Sequence, residues 1–120
     1  MSRAECQPVE IKGGVSKPLL NAADGYVAGF CSGISFYTAA DYPELGTHDD
    51  CEGFFVMEGE GRAKVGDEEY RLDRDVCFWM PAGVQHAIKR GPRFEFVKVC
   101  WFHASITERI RRLEYRCVPI

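Results

Sequence analysis

A chain of 120 residues, 46% hydrophobic and 28% charged, has the length of one domain and enough apolar sequence to bury a core without staples. Its formal charge of −3 offers no overall basic surface for nucleic acid. No apolar run approaches the ~20 residues of a membrane span, and residues 1–6 are too polar to open a signal peptide, so a cytoplasmic setting is expected.

Residues 1–18 contain Pro8, Gly13, Gly14 and Pro18, which break any helix, and they predict an extended arm in which 9–11 can pair as an edge strand. Residues 19–104 are expected to form the body of the domain. Within it, the apolar segments 26–30 and 34–38 are separated by Ser32-Gly33, which predicts a hairpin or a bulged strand. Residues 41–46 form a loop leading to His48, and the apolar run 54–57 is ended by Gly59 and Gly61. Gly66-Asp67 stands between 62–65 and 70–72 as a hairpin turn.

The next apolar run closes on Pro81-Ala82-Gly83. Proline fixes φ and cannot donate to a sheet ladder, while glycine permits conformations that other residues avoid, so the chain turns tightly and delivers His86 onto the following strand. A second turn at Gly91-Pro92 precedes 94–102, the longest predicted strand. Phe94, Phe96, Cys100 and Phe102 fall on one side of it and Val97, Val99 and Trp101 on the other. Both sides are apolar, so one fills the interior and the other needs a cover: a second subunit, the arm, or the C-terminal segment. That segment, 105–120, has Ser105 and Glu108 at capping-box spacing and Ile106, Ile110 and Leu113 at helical intervals, predicting a short helix and tail with Arg109, Arg111 and Arg112 solvated.

Six cysteines at 6, 31, 51, 77, 100 and 117 are widely scattered, contain no CxxC pair and in several cases lie in apolar runs, so buried reduced thiols are expected rather than a disulfide framework. Cys51 adjoins Glu52, and thiolate is a strong zinc or copper ligand; on a strand, however, neighbouring side chains face opposite ways.

Two blocks carry the chemistry. Gly46-Thr47-His48-Asp49-Asp50-Cys51-Glu52 is followed by Gly59, and Asp75 by Pro81, Gly83 and His86. They resemble the two signature motifs of the cupin superfamily: HxH, three or four residues, Glu, six residues, Gly; then Gly, five residues, PxG, two residues, His. The Glu-to-Gly spacing and the whole Pro81, Gly83, His86 spacing match. The sequence departs at Gly46, which stands for the first histidine, at Asp75, which stands for the opening glycine, and at Arg90, which stands for the usual closing asparagine.

The resemblance implies an all-β fold, a cupin-type double-stranded β-helix or jelly-roll barrel, here with the short C-terminal helix. It also implies a homodimer and a divalent metal ion (Zn, Fe, Mn or Ni) held by His48, Glu52 and His86; position alone, apart from the resemblance, offers Asp50, Cys51 and His103 as alternative donors. On an uninterrupted strand His48, Asp50 and Glu52 project to one side; with a loop between them, only His48 and Glu52 converge. His103, at the end of a strand, is expected to face solvent or to be satisfied by backbone. Tyr37, Phe54, Phe78, Trp79 and Trp101 are expected as pocket walls, or as plain core.

Three functions follow. The first is a metalloenzyme of isomerase, lyase or oxygenase type, in which the ion polarises a substrate oxygen or organises dioxygen. A second is a metal-free module that binds or senses a small molecule, and the third a dimerising scaffold whose interior is packed solid.

Overall fold

A computed structural model describes residues 7–20, 30–47 and 51–104. Nine strands occur among them: β1 (Val9–Ile11), β2 (Gly14–Leu20), β3 (Phe30–Tyr37), β4 (Glu52–Gly59), β5 (Gly61–Val65), β6 (Glu68–Leu72), β7 (Cys77–Met80), β8 (His86–Arg90) and β9 (Val97–Ala104). No helix among the described residues is long and apolar enough to cross a membrane. The helix expected over 105–120 lies outside the described residues.

The strands form a six-stranded sheet in the order β1-β2-β3-β9-β4-β7 and a three-stranded sheet in the order β6-β5-β8. All pairings are antiparallel, and the crossovers between sheets make the jelly-roll barrel. Period-two alternation explains why each strand has an inner side. Phe54 and Val56 of β4, Val97, Val99 and Trp101 of β9, and Ala63, Leu72 and Ile88 from the smaller sheet are all buried, and they belong to one apolar cluster.

Several expectations are refined by pairing. Residues 9–11 are indeed an edge strand, and residues 14–18, expected in the arm, belong to β2, between β1 and β3. Ser32-Gly33 makes no hairpin: β3 runs straight through it in unbroken register with β9. Glycine is needed there because the Trp101 ring lies on the backbone; a Cβ on Gly33 would meet Trp101 Cζ2 at 2.6 Å and Lys17 O at 2.7 Å. The last strand starts at Val97 rather than Phe94, since 91–94 is used by a turn closed by Phe94 N–H donating to Gly91 O (3.3 Å).

The turns behave as their residues dictate. Gly66 (φ 61°) closes the β5–β6 hairpin, and Gly83 (φ 77°) occupies the third position of the 81–84 turn, where Val84 N–H donates to Pro81 O (3.3 Å). Asp75 adopts φ 70° itself, which explains how an aspartate fills a position where the resembled motif has glycine. Of the cysteines described, only Cys31 is buried; Cys51 and Cys77 are exposed and Cys100 half-buried, because 77 and 100 take outward positions on β7 and β9. All four are free thiols.

Candidate functional site

The end of the barrel is built around His86, the first residue of β8. It shares an inward side with Ile88, two residues on. Its backbone pairs reciprocally with Gly46: His86 N–H donates to Gly46 O (2.9 Å) and Gly46 N–H to His86 O (3.0 Å). The turn at Pro81 to Gly83 therefore places the histidine of the second block directly opposite the residue that stands for the first histidine of the first. His86 Nδ1 lies 3.1 Å from Val84 O. A carbonyl only accepts, so Nδ1 carries the hydrogen and the neutral ring keeps its lone pair on Nε2.

A cavity of about 240 Å³ opens beside this pair. Tyr37 from the six-stranded sheet and His86 from the three-stranded sheet face it, with Thr47, Lys12, Glu44 and Ile88 among the other walls. Tyr37 is 8% exposed. Burial first, and the nearby Glu52 charge second, raise its phenol far above the ordinary value, against a smaller lowering from Ser35. Tyr37 is thus a neutral hydroxyl at any physiological pH.

Glu52 opens β4 on the same inward side as Phe54 and Val56 and is 3% exposed. Its register partner on β9 is His103, 2% exposed, and the Glu52 carboxylate accepts a hydrogen bond from His103 Nε2. The expectation of a solvent-facing or backbone-satisfied His103 is therefore corrected. The strand continues two residues past Trp101, so the imidazole points inward against the Trp101 ring (centroids 5.5 Å apart, planes at 80°) and meets a carboxylate 51 residues away in sequence. Beneath them, Trp101 Nε1 and Ser35 Oγ each donate to Ser16 Oγ at 2.9 Å, and Ser16 Oγ donates to Ile34 O at 3.4 Å. Every polar atom of that small network is used, as burial requires.

The remaining predicted residues divide clearly. Tyr37 and His86 line the cavity, whereas Phe54, Phe78 and Trp101 belong to the core; Phe54 and Phe78 stack at 4.9 Å with planes 8° apart. Trp79 does not face this cavity: it alternates with Phe78 and Met80 on β7, points outward at 61% exposure and, with Phe78, walls a separate groove between β6 and β7. Cys51 is exposed beside buried Glu52. His48 and Asp50 lie outside the described residues. Lys12 and the Ser16–Ser35 pair were not singled out by sequence; a Gly-Gly pair after Lys12 was the available signal for a hairpin there.

A divalent ion needs several donors converging on one point. Among the described residues no three His, Cys, Asp or Glu side chains do so. Gly46 supplies no donor, and the Glu52 carboxylate is engaged by His103. The described residues alone do not fit a metal ion.

Residues 38–93 match the family model described as a cupin domain. No curated protein matches the chain. Among solved structures, oxalate decarboxylase superposes with a TM-score of 0.74 at 16% identity, over 88% of this chain and 29% of that one. Hydroxypropylphosphonic acid epoxidase from S. wedmorenis superposes with a TM-score of 0.73 at 18% identity, over 86% of this chain and 57% of that one. Oxalate decarboxylase from Bacillus subtilis at pH 4.6 gives 0.70 at 17% identity, over 91% and 30%. The chain thus spans under a third of the decarboxylase and somewhat over half of the epoxidase, and at these identities the likeness is one of fold.

Proposed function

We propose that this chain, matched by the cupin-domain model over residues 38–93, is a small-molecule-binding domain of cupin type whose ligand sits at the barrel end between Tyr37 and His86. The observation that carries the proposal is the cavity of about 240 Å³ into which a phenol and an imidazole project from opposite sheets. It is smaller than the roughly 300–1,000 Å³ typical of drug-sized ligands, which favours a small metabolite. An interior packed solid, as a pure scaffold requires, is at odds with that space.

Thermal-shift screening of metabolites, before and after chelator treatment, tests the proposal. A true ligand stabilises both preparations equally, by about 2.7 kcal/mol at a concentration of about 100 Kd. Failure of every metabolite in both preparations would remove it.

A divalent ion is the second reading. An epoxidase structure is described with Fe(II) and substrate, and Mn(II) centres are described in the Bacillus subtilis decarboxylase. The tautomer of His86 supports it here, since an Nδ1–H anchored on a carbonyl is how ligating histidines are commonly oriented. The ligand set would be His48, Glu52 and His86, with Glu52 released from His103. Elemental analysis of protein purified without a histidine tag decides: stoichiometric metal that is lost in His86→Ala supports this reading, and metal-free protein that still binds a metabolite excludes it.

A homodimer belongs to the same proposal. Phe55, Met57, Trp79 and Phe102 are all 38–61% exposed, and they cluster on the outer side of three adjacent strands, β9, β4 and β7. Sedimentation equilibrium at twice the chain mass, falling to monomer in Phe55→Glu, is the expected result.

A further inference from the structure

We propose that the cavity takes a small carboxylate, with the Lys12 ammonium as its counter-charge. The inference rests on the binding role proposed above and adds the chemical class of the ligand. It starts from Gly46, hydrogen-bonded through its backbone to His86 and therefore opposite it across the ladder. Glycine leaves this position without a side chain, and among the described residues beyond its chain neighbours a Cβ built there would have one atom within 4 Å: Lys12 Nζ, at 3.8 Å. The space opposite His86 is thus bordered by a cation.

The backbone that carries Lys12 is fixed in place. Lys12 and Gly13 form the turn between β1 and β2, where Ile11 pairs with Gly14. Gly13 (φ 82°) accepts from the backbone N–H groups of both Thr38 (2.8 Å) and Ala39 (3.1 Å). A Cβ on Gly13 would crowd Pro43 Cγ at 3.1 Å and the Ile88 carbonyl at 3.5 Å, so the turn lies tight against the barrel end. Anchoring of this kind reduces what binding costs in ordering a charged group.

Around that cation the walls supply the other groups a carboxylate needs. Tyr37 and Thr47 contribute hydroxyls, and Ile11, Pro43 and Ile88 contribute apolar surface for a short hydrocarbon body. The first carboxylate oxygen takes the Lys12 ammonium and the second a hydroxyl donor. Glu44 is the one acid of the lining; it is exposed at the rim, and no carboxylate among the described residues pairs with Lys12. The interior acid, Glu52, is already engaged by His103. No arginine lines the cavity, so the forked donor that phosphate recognition favours is missing from its walls.

The test titrates butyrate, the matched neutral butyramide and inorganic phosphate into the full chain, reading dissociation constants and amide shifts at residues 46, 47 and 86. Butyrate is expected to bind about tenfold more tightly than butyramide, the usual size of one charge-assisted hydrogen bond. Lys12→Gln, in an exposed turn, should fold normally and abolish that preference, while Lys98→Gln on the outer side of β9 leaves it intact. Equal binding of butyrate and butyramide, a preference that survives Lys12→Gln, or phosphate binding more tightly than butyrate would each overturn the carboxylate assignment. None of these results touches the pocket itself, which falls only if the metabolite screen is empty as well.

Discussion

Replacing His103 by leucine would take a buried imidazole partner from the Glu52 carboxylate in the barrel interior. The two side chains are 1% and 3% exposed, so bulk water does not replace the lost hydrogen bond. Removing one partner of a buried hydrogen bond to a carboxylate costs about 1–3 kcal/mol. Loss of the edge contact with Trp101 adds about 0.5–1.5 kcal/mol. Against the roughly 5–15 kcal/mol that holds an ordinary domain together, His103→Leu should remove a substantial share of the stability. Glu52→Gln keeps an amide that can still bond the imidazole, and it should cost only about 1–2 kcal/mol. Most telling is the double variant Glu52→Leu/His103→Leu, which buries no charge and should be more stable than His103→Leu alone. Urea denaturation of the series, with equal m-values checking two-state behaviour, gives the coupling energy. A His103→Leu cost below about 1 kcal/mol, or costs that add to within about 0.5 kcal/mol in the double variant, would refute the pairing.

Three further outcomes follow from local geometry. Gly33→Ala should lose at least about 1–3 kcal/mol of stability, because its methyl would overlap the Trp101 ring and the Lys17 carbonyl; a loss under about 0.5 kcal/mol in urea denaturation would mean that the ring does not lie there. Asp75 holds φ 70°, so Asp75→Gly should raise the unfolding free energy by a few tenths to about 1 kcal/mol in urea denaturation, whereas Asp75→Ala should lower it. The Tyr37 phenol is held well above its unfolded value of 10.0 by burial and by Glu52. A raised phenol stabilises the fold below the unfolded value and loses that contribution as pH climbs beyond it. Stability should therefore fall as pH rises past 10, and Tyr37→Phe should flatten that fall; an unchanged slope in the variant contradicts the placement of the hydroxyl.

Much of the barrel was legible because alternation needs only the neighbouring residues. Val97, Val99 and Trp101 fell on the buried side as their spacing required, Gly66-Asp67 closed its hairpin, and Pro81 with Gly83 brought His86 to the start of β8. What escaped depends on partners distant in sequence. Gly33 resembles a break until Trp101, from another strand, is laid across it. His103 was expected at a strand end facing solvent or backbone; its pairing with Glu52 is set by the β4–β9 register, which neither segment encodes alone. Trp79 was expected as a pocket wall, and the alternation of β7 sends it outward with Cys77, onto the groove between β6 and β7 rather than the barrel-end cavity. Lys12 is the clearest case: an exposed lysine in a turn gains meaning only because that turn is anchored over a barrel end where position 46 lacks a side chain.

The barrel-end cavity as the ligand site is the central claim, and backbone amide mapping tests it most directly. With the strongest stabiliser from the metabolite screen at saturation, the account predicts shifts concentrated at residues 11–13, 44–47 and 86–88. Shifts confined instead to the outer groove between β6 and β7, at Tyr70, Phe78 and Trp79, would contradict it.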